Sequence, residues 1–317
     1  MKVCKLHFKS SIHLGEREKI LEKSEIYIHS DTLFSAFCHS YFLLYGEKRL
    51  NELLKKFKEN APPFLISSAF PYREEKYYFP VPLNQVSKRK ELKKIKFIEK
   101  DGFERLIKGE PLDEIIEDEN FETLPKDEDE KNPWWIVQNP RVALSRLNFH
   151  PGENYFFFSE VFYKKNSGLF FLIDYKDENF EKEFISTLNL LSQEGIGGDR
   201  TVGKGLFDKP EFRELELQYP ESNSIITLSL YSPNGDEISD IKDGFYEIIE
   251  RSGYIFSPFG RNLRRKSVRM LVEGSVFLSG KKGRIVDVTP EIFKKHPIYR
   301  YGFCFPISCE LEVKNEV

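Results

Sequence analysis

Five of the thirteen residues in the stretch 195–207 are glycine, and Arg200 and Lys204 lie between them. Glycine has no Cβ, so a glycine-rich loop lets backbone N–H groups turn toward a ligand and lets that ligand come close. Two cations on the same loop favour an anionic ligand. The composition of this stretch, which we call the glycine loop, therefore predicts a phosphate-binding site.

The segment 198–204 has the G-x-x-x-x-G-K spacing of a nucleotide-binding P-loop. That motif continues with Ser or Thr, whose hydroxyl binds Mg²⁺, whereas this chain has Gly205. A P-loop also follows a strand, but this loop follows a helical pattern at 181–193. The dinucleotide fingerprint G-x-G-x-x-G fails because Arg200 stands where its third glycine would be. These departures favour a phosphodiester backbone over ATP or NAD, and we expect no cofactor.

The composition is globular, with 40% hydrophobic and 31% charged residues in 317. That length accommodates two domains of ordinary size. No run of about eighteen apolar residues predicts a transmembrane helix, and the first residues lack the apolar core of a signal peptide. The four cysteines have no C-x-x-C spacing. We therefore expect a cytoplasmic protein with no membrane attachment, no metal site and no disulfide framework.

Charge is distributed unevenly, although the formal net charge is only −3. Between 251 and 300 there are twelve Lys and Arg residues against three acids, whereas 110–130 holds eleven acids against one Lys. The first segment predicts a basic surface, with Arg261 and Arg264 in its densest part, as a candidate nucleic-acid contact. The second predicts an exposed acidic insertion, at about 110–132, that faces away from nucleic acid.

The elements that position the glycine loop alternate between helix and strand. Ser30-Asp31-Thr32 offers N-cap chemistry for an apolar-rich helix at 33–45, which Gly46 ends before a second helix. An apolar strand at 168–175 leads into the helix that precedes the loop. A further strand–helix unit is expected to begin at 225–231.

This order predicts an α+β fold with insertions. It is compatible with a ferredoxin-like domain, or with two of them, but helix–strand alternation also fits other α+β arrangements. The composition near Pro220 marks the best boundary. We expect an N-terminal domain at 1–219, which holds the acidic insertion, and a smaller C-terminal domain at 220–317.

Three stretches taken together resemble the RAMP superfamily of CRISPR proteins. They are His13-Leu14-Gly15 with His29-Ser30-Asp31-Thr32-Leu33-Phe34-Ser35-Ala36, then Pro140-Arg141-Val142-Ala143-Leu144-Ser145-Arg146, and the glycine loop. Within the superfamily the combination is similar to the fourth Csm subunit of type III-A effector complexes. Two further stretches are similar to that subunit, namely Phe64-Leu65-Ile66-Ser67-Ser68-Ala69-Phe70-Pro71 and Phe256-Ser257-Pro258-Phe259-Gly260-Arg261. The resemblance extends over nearly the whole chain.

The resemblance implies two ferredoxin-like, RRM-related domains and a non-catalytic RNA-binding subunit. Such a subunit grips the 5′ handle of the guide crRNA and docks the large polymerase/cyclase Csm subunit to the backbone RAMP subunit. The family's glycine loop contacts the RNA backbone, and a thumb-like hairpin extends against the guide. The RNA-binding residues implied here are Gly195, Gly197, Gly198, Arg200, Gly203, Lys204 and Gly205 of the loop, with Arg141 and Arg146 of the hairpin.

His29 and Ser30 are further RNA-binding candidates, because a helix N-terminus attracts anions through its free N–H groups. Plain helix capping by Ser30 or Asp31 explains the same pattern. For Arg141 and Arg146, spacing by five residues places them on opposite faces of an extended segment, so one of them can meet RNA while the other meets a partner or an acid.

The main alternative function is a RAMP-type, metal-independent CRISPR RNA-processing endoribonuclease, in which a ribose 2′-OH attacks the adjacent phosphate. That reaction needs a general base and acid, and His29 with Tyr27 is the pair that the sequence offers. A general RRM-type RNA-binding protein is a second alternative, but the RNP1 pattern is missing. We expect no catalytic residue.

Overall fold

The computed structural model describes residues 1–15, 21–85, 89–90, 92–117, 121–125, 130–143, 155–257, 259–260 and 263–310. The strands are β1 (Lys2–Leu6), β2 (Phe64–Ile66), β3 (Phe70–Arg73), β4 (Lys76–Pro80), β5 (Ile95–Glu99), β6 (Thr123–Pro125), β7 (Trp134–Val142), β8 (Tyr155–Tyr163), β9 (Ser167–Tyr175), β10 (Glu211–Glu214), β11 (Ile225–Thr227), β12 (Ile248–Arg251), β13 (Val268–Leu271), β14 (Val276–Phe277), β15 (Val286–Asp287), β16 (Tyr299–Arg300) and β17 (Pro306–Ser308). The α-helices are α1 (Ser30–Lys58), α2 (Lys100–Ile107), α3 (Leu112–Glu117) and α4 (Glu181–Glu194). Short 3₁₀ helices lie at Leu92–Lys94, Glu178–Phe180, Arg200–Val202, Gly235–Glu237 and Ser239–Ile241.

The main sheet is antiparallel and runs in the order β10-β1-β9-β3-β4-β5-β6, with β2 also paired to β9. The unit β1-α1-β2/β3-β9-α4-β10 supplies the four strands at one end of this sheet, in the order β10-β1-β9-β3. A β-α-β-β-α-β chain folded in this strand order is the ferredoxin-like motif. The predicted α+β class is therefore confirmed, and the ferredoxin-like topology is clear in this half of the chain.

Helix α1 packs its aromatic face on the sheet and on α4. Phe37 stacks on Phe184 of α4 with ring centroids 4.9 Å apart, and Phe34 lies edge-on to Phe57 near the other end of α1. Gly46 has φ 78 and ψ 176, so it breaks the helix where the sequence predicted. This packing fixes the direction of α4, whose C-terminus opens the glycine loop.

The acidic segment is only partly the exposed insertion that we expected. Its strand β6 pairs with β5, and three of its apolar side chains, Leu112, Ile115 and Leu124, are buried. Acids such as Asp113 and Glu114 lie on the outward side of these elements, because the apolar side chains on the other side are buried in the core. Residues 118–120 and 126–129 of this segment lie outside the described residues.

The last third of the chain forms a three-stranded sheet, β14-β11-β17, with the strand pairs β12-β13 and β15-β16 beside it. We expected an α-helix after 225–231, but the described residues of this region, 220–257, 259–260 and 263–310, contain none. Short 3₁₀ helices occupy its place, because Pro233 interrupts the segment and Asn234 caps a single turn reciprocally with Glu237.

The two halves share one continuous core. The Ser68 amide donates to the Leu228 carbonyl at 2.8 Å, and the Ile66 amide donates to the Tyr301 hydroxyl at 3.1 Å. Tyr301 is fully buried and packs on Phe34 of α1. The C-terminal strands are therefore positioned rigidly against the helix that begins at Ser30.

Candidate nucleic-acid interface

The glycine loop is built by backbone geometry that only glycine accommodates. Gly195 ends α4 with φ 76, and Gly205 has φ 71. A Cβ on Gly205 would lie 1.9 Å from the Ile196 carbonyl oxygen, and a Cβ on Gly197 would lie 2.6 Å from that of His13. These separations are far below van der Waals contact, so the glycines let the loop fold on itself and against the N-terminal segment.

The glycine amides are largely used inside the protein. Gly198 donates to the His13 carbonyl and Gly205 to the Ser11 carbonyl, each at 2.8 Å, while Gly195 donates to Leu191 within α4. Gly203 closes its own 3₁₀ turn by donating to the Arg200 carbonyl at 3.0 Å. The expectation that these N–H groups donate to phosphate therefore changes, because the glycines shape the loop and its side chains are left to meet a ligand.

Four charged side chains, two from the β7–β8 hairpin and two from the glycine loop, form what we call the loop cluster. Glu160, 3% exposed, forms an ion pair with Lys204 Nζ at 2.9 Å and lies 3.5 Å from Arg141 Nη2. Arg141 also pairs with Asp199, which stands in the loop in a left-handed conformation. The cluster connects the hairpin to the glycine loop. Because Arg141 and Lys204 pair with Glu160 and Asp199, their positive charge is partly neutralised within the protein.

Sequence reasoning missed Glu160 and His13. Glu160 is the one acidic residue in the aromatic strand β8. A lone acid in such a strand was the sequence feature that could have marked it as a candidate. The His13 ring lies 4.3 Å from the Phe158 ring, and Arg141 Cζ lies 3.7 Å above the same ring. Burial lowers the pKa of His13, although its Nδ1 lies 2.8 Å from the Ser159 carbonyl. A neutral His13 thus leaves the charge of the site to the arginines and lysine.

Arg200 stands apart from the loop cluster. Its Cζ lies 4.2 Å from the centre of the Phe256 ring, and no carboxylate of the described residues is within ion-pair distance of it. Burial lowers the pKa of Arg200, and Glu194 partly opposes that effect. Because a guanidinium stays protonated at neutral pH, Arg200 is a cation available at the rim of the loop beside the exposed Val202.

His29 and Ser30 are not at the surface. His29, 3% exposed, has Nδ1 2.8 Å from Glu273 Oε1, and Ser30 Oγ accepts from the Leu230 amide at 3.0 Å. Tyr27, the proposed partner of His29 in a nuclease, is also buried, with its hydroxyl 3.4 Å from Glu273. These side chains contact Glu273 and Leu230 in the C-terminal half of the chain.

The next residue, Asp31, is the centre of a second charged group, which we call the buried cluster. Asp31 is 1% exposed and accepts from Arg251 Nε and Nη2, both at 3.0 Å, and from Arg300. Burial alone would raise the pKa of Asp31, but the two guanidinium groups outweigh it and hold that pKa well below its ordinary value. The cluster joins the start of α1 to strands β12 and β16.

Of the remaining predicted RNA contacts, Arg264 is exposed with its Cζ 5.7 Å from the Tyr254 ring. Arg146 and Arg261 lie outside the described residues. Within the described ranges no group of three or more His, Cys, Asp and Glu side chains is arranged to hold a metal ion. No helix in that part of the chain combines the length and apolar character that crossing a bilayer requires.

Both parts of the chain match known protein families. Residues 5–208, which hold the hairpin and the glycine loop, match the RAMP superfamily. The chain belongs to the RAMP superfamily. Residues 220–309 match a second family, the CRISPR Csm4 C-terminal domain. The resemblance stated from the sequence is thereby confirmed.

Relatives of this RAMP protein match along most of its length. The CRISPR system Cms protein Csm4 of Thermococcus onnurineus is 28% identical, with 89% of this chain and 91% of the relative covered. The protein of the same name from Methanocaldococcus jannaschii is 27% identical, with 92% of this chain and 89% of the relative covered.

Two solved structures share the fold at 22% identity. One is a Csm3–Csm4 subcomplex of the type III-A CRISPR-Cas interference complex, with a TM-score of 0.68, 98% of this chain covered and 100% of that chain. The other is a Csm1–Csm4 cassette in complex with cA4, with a TM-score of 0.63 and 98% of each chain covered.

Proposed function

We propose that this RAMP protein is a non-catalytic RNA-binding subunit of a cytoplasmic type III-A CRISPR effector complex in antiviral defence. It grips the 5′ handle of the guide crRNA and docks the large polymerase/cyclase subunit to the backbone RAMP subunit. The observation that carries the proposal is the match of both parts of the chain, in order, to the RAMP superfamily and to the Csm4 C-terminal domain. The similar Csm4 chains are solved in complexes with Csm3 and with Csm1.

We assign an N-terminal RAMP domain to 1–219 and a C-terminal domain to 220–317. The two matched ranges, 5–208 and 220–309, support this boundary. So does the sheet pairing, because β10 is the last strand of the main sheet and β11 is the first strand of the next.

The RNA-facing side is the rim of the glycine loop that carries Arg200. Arg141 and Lys204 oppose Glu160 and Asp199, so the loop cluster alone is close to neutral. Arg200 adds an uncompensated charge next to it, and a single-stranded RNA backbone is held by such charges. Lys204 and Arg141 would contribute weaker contacts, since each already satisfies part of its charge within the protein.

The absence of catalysis rests on accessibility. A general base must come within about 2.6–3.2 Å of the proton that it removes. His29 and Tyr27 are 3% and 6% exposed and both contact Glu273, so little of either side chain is open to a ribose 2′-OH. This arrangement supports a binding subunit over a His29-dependent endoribonuclease.

The proposal is tested with Arg200→Ala in the full chain and a short single-stranded RNA that carries the repeat-derived 5′ handle. Loss of one charged contact should weaken binding roughly 10- to 100-fold. It should also reduce the slope of log Kd against log salt by about 0.7, because one phosphate contact is lost. The matched control is Arg213→Ala, an exposed arginine on β10 that pairs with Glu75 and Glu211.

Arg213→Ala should leave the affinity and the slope unchanged. If Arg200→Ala behaves like this control, the glycine loop is not on the RNA. If the unaltered chain, alone and with its partner subunits, binds no RNA, the proposed function itself fails.

A further inference from the structure

A cavity of about 140 Å³ opens beside the glycine loop, between α1 and the C-terminal half of the chain. Its walls are mainly apolar and include Phe34 and Leu54 from α1, with Phe256 and Ile298 from the opposite side. Cavities of about 150 Å³ are known to accept one benzene ring. The size therefore suits one flat ring and not a whole nucleotide cofactor.

Phe256 is the residue that links this cavity to the glycine loop. Its side chain is 62% exposed, and it forms part of the cavity wall. Arg200 packs on the ring from the loop, and the His39 ring meets it edge-on at 4.8 Å. These contacts hold the ring in place, while more than half of its surface stays open to a ligand.

The charges around the cavity favour an anionic ligand. Arg265 lines it and is oriented by a hydrogen bond from Nε to the Tyr254 carbonyl at 2.9 Å. Burial, together with Arg300, lowers the pKa of Arg265 to about 10, so it stays charged at neutral pH. No carboxylate among the described residues lies within ion-pair distance of Arg265, and Glu47 is the one acid in the wall.

An exposed aromatic ring with one arginine packed on it and a second arginine in the same cavity wall suits single-stranded RNA bound without reading its sequence. The ring stacks on a base, and the cations contact the adjoining phosphates. We propose that this cavity receives one unpaired base of the guide RNA, stacked on Phe256, while Arg200 contacts the phosphate next to it. This inference rests on the proposed function, and it assigns to Phe256 a base contact that the glycine loop lacks.

The test compares Phe256→Leu with Phe256→Tyr in the full chain, using the same handle RNA. Leucine keeps an apolar side chain but has no ring, so binding should weaken roughly 5- to 150-fold, whereas tyrosine should retain it. The salt slope should stay unchanged in both variants, because stacking releases no counterions. The matched control is Tyr219→Leu at another exposed aromatic residue, 51% exposed, which should have no effect.

A second series removes one base at a time from the RNA by abasic substitution. One position should weaken binding to the unaltered chain by the same factor and should have no further effect on Phe256→Leu. This loss of additivity identifies the stacked base even if Arg200 shifts in the variant.

The inference is overturned if Phe256→Leu binds RNA like the unaltered chain while Arg200→Ala does not; the proposed function then stands. It is also overturned if Phe256→Leu lowers only the recovery of a protein partner, because the cavity then holds a protein side chain. Failure of the unaltered chain to bind RNA overturns both.

Discussion

The loop cluster and the buried cluster are built from the same groups, arginine or lysine around carboxylates, but they differ in access to water. In the buried cluster, Asp31 is fully enclosed and the side chains of Arg251 and Arg300 are 10% and 5% exposed. In the loop cluster, the side chains of Arg141 and Asp199 are 33% and 32% exposed. The first arrangement fixes two halves of the chain together, whereas the second can exchange partners with an incoming anion.

The difference shows that residue type alone does not tell whether a charged side chain at a helix start or on a loop stabilises the fold or binds a ligand. Burying charges is costly, and removing one partner of a buried pair leaves the other uncompensated. A half-exposed pair contributes little to stability, since water replaces the lost partner. A substitution in the buried cluster should therefore lower stability, whereas one in the exposed part of the loop cluster should change stability little.

The largest expected effect is that of Asp31→Asn. The variant keeps the side-chain size but leaves Arg251 and Arg300 buried without a counter-charge. The free energy of unfolding should fall by about 3–5 kcal/mol, measured by urea denaturation at neutral pH. Asp199→Asn is the matched control in the loop cluster, where the loss should be under about 1 kcal/mol. Equal losses in the two variants would contradict the distinction.

Acid titration sharpens the same comparison. The pKa of Asp31 in the folded protein is lower than its unfolded value of about 3.9. Its contribution to stability is therefore complete above that value and is lost as the pH falls through the folded pKa. The stability gap between the unaltered chain and Asp31→Asn should be constant near neutrality and should narrow below about pH 4. If the difference in stability narrows near pH 7 instead, a group other than Asp31 is responsible for it.

A smaller effect on stability, with a larger one on binding, is expected for Gly205→Ala. The new Cβ would collide with the Ile196 carbonyl at a backbone angle, φ 71, that alanine disfavours. The cost should be about 1–3 kcal/mol, and RNA affinity should drop although no charge is changed. Gly235→Ala, where nothing lies within 4 Å, should be silent in both measurements. Wild-type affinity in Gly205→Ala would mean that the loop shape does not matter for RNA.

Much of the fold could be predicted because its signals are local. The break at Gly46, the helix before the glycine loop and the alternation of strands and helices all follow from neighbouring residues. The expected helix after 225–231 was wrong because Pro233 and the Asn234 cap permit only a single 3₁₀ turn. The acidic segment was only half understood, since its buried apolar residues, such as Leu124, alternate with acids that dominate the composition.

The candidate site could be predicted in part. The glycine loop and Arg200 could be proposed from the sequence, because glycine content and charge are visible there. The partners of Asp31 could not be predicted, since Arg251 and Arg300 are 220 and 269 residues away from it along the chain. The residues at a helix start look the same in a sequence in two different cases. In one, the helix start binds an anionic ligand; in the other, as for Asp31, its own carboxylate pairs with buried arginines.

The central claim is that RNA meets the glycine-loop side and not the start of α1. The most direct measurement is photo-crosslinking of handle RNA to the chain within its purified complex, followed by mass spectrometry of the linked peptides. We expect crosslinks within 195–207 and around Phe256, and none within 27–32. Crosslinks at His29 or Ser30 without any in the glycine loop would contradict the account.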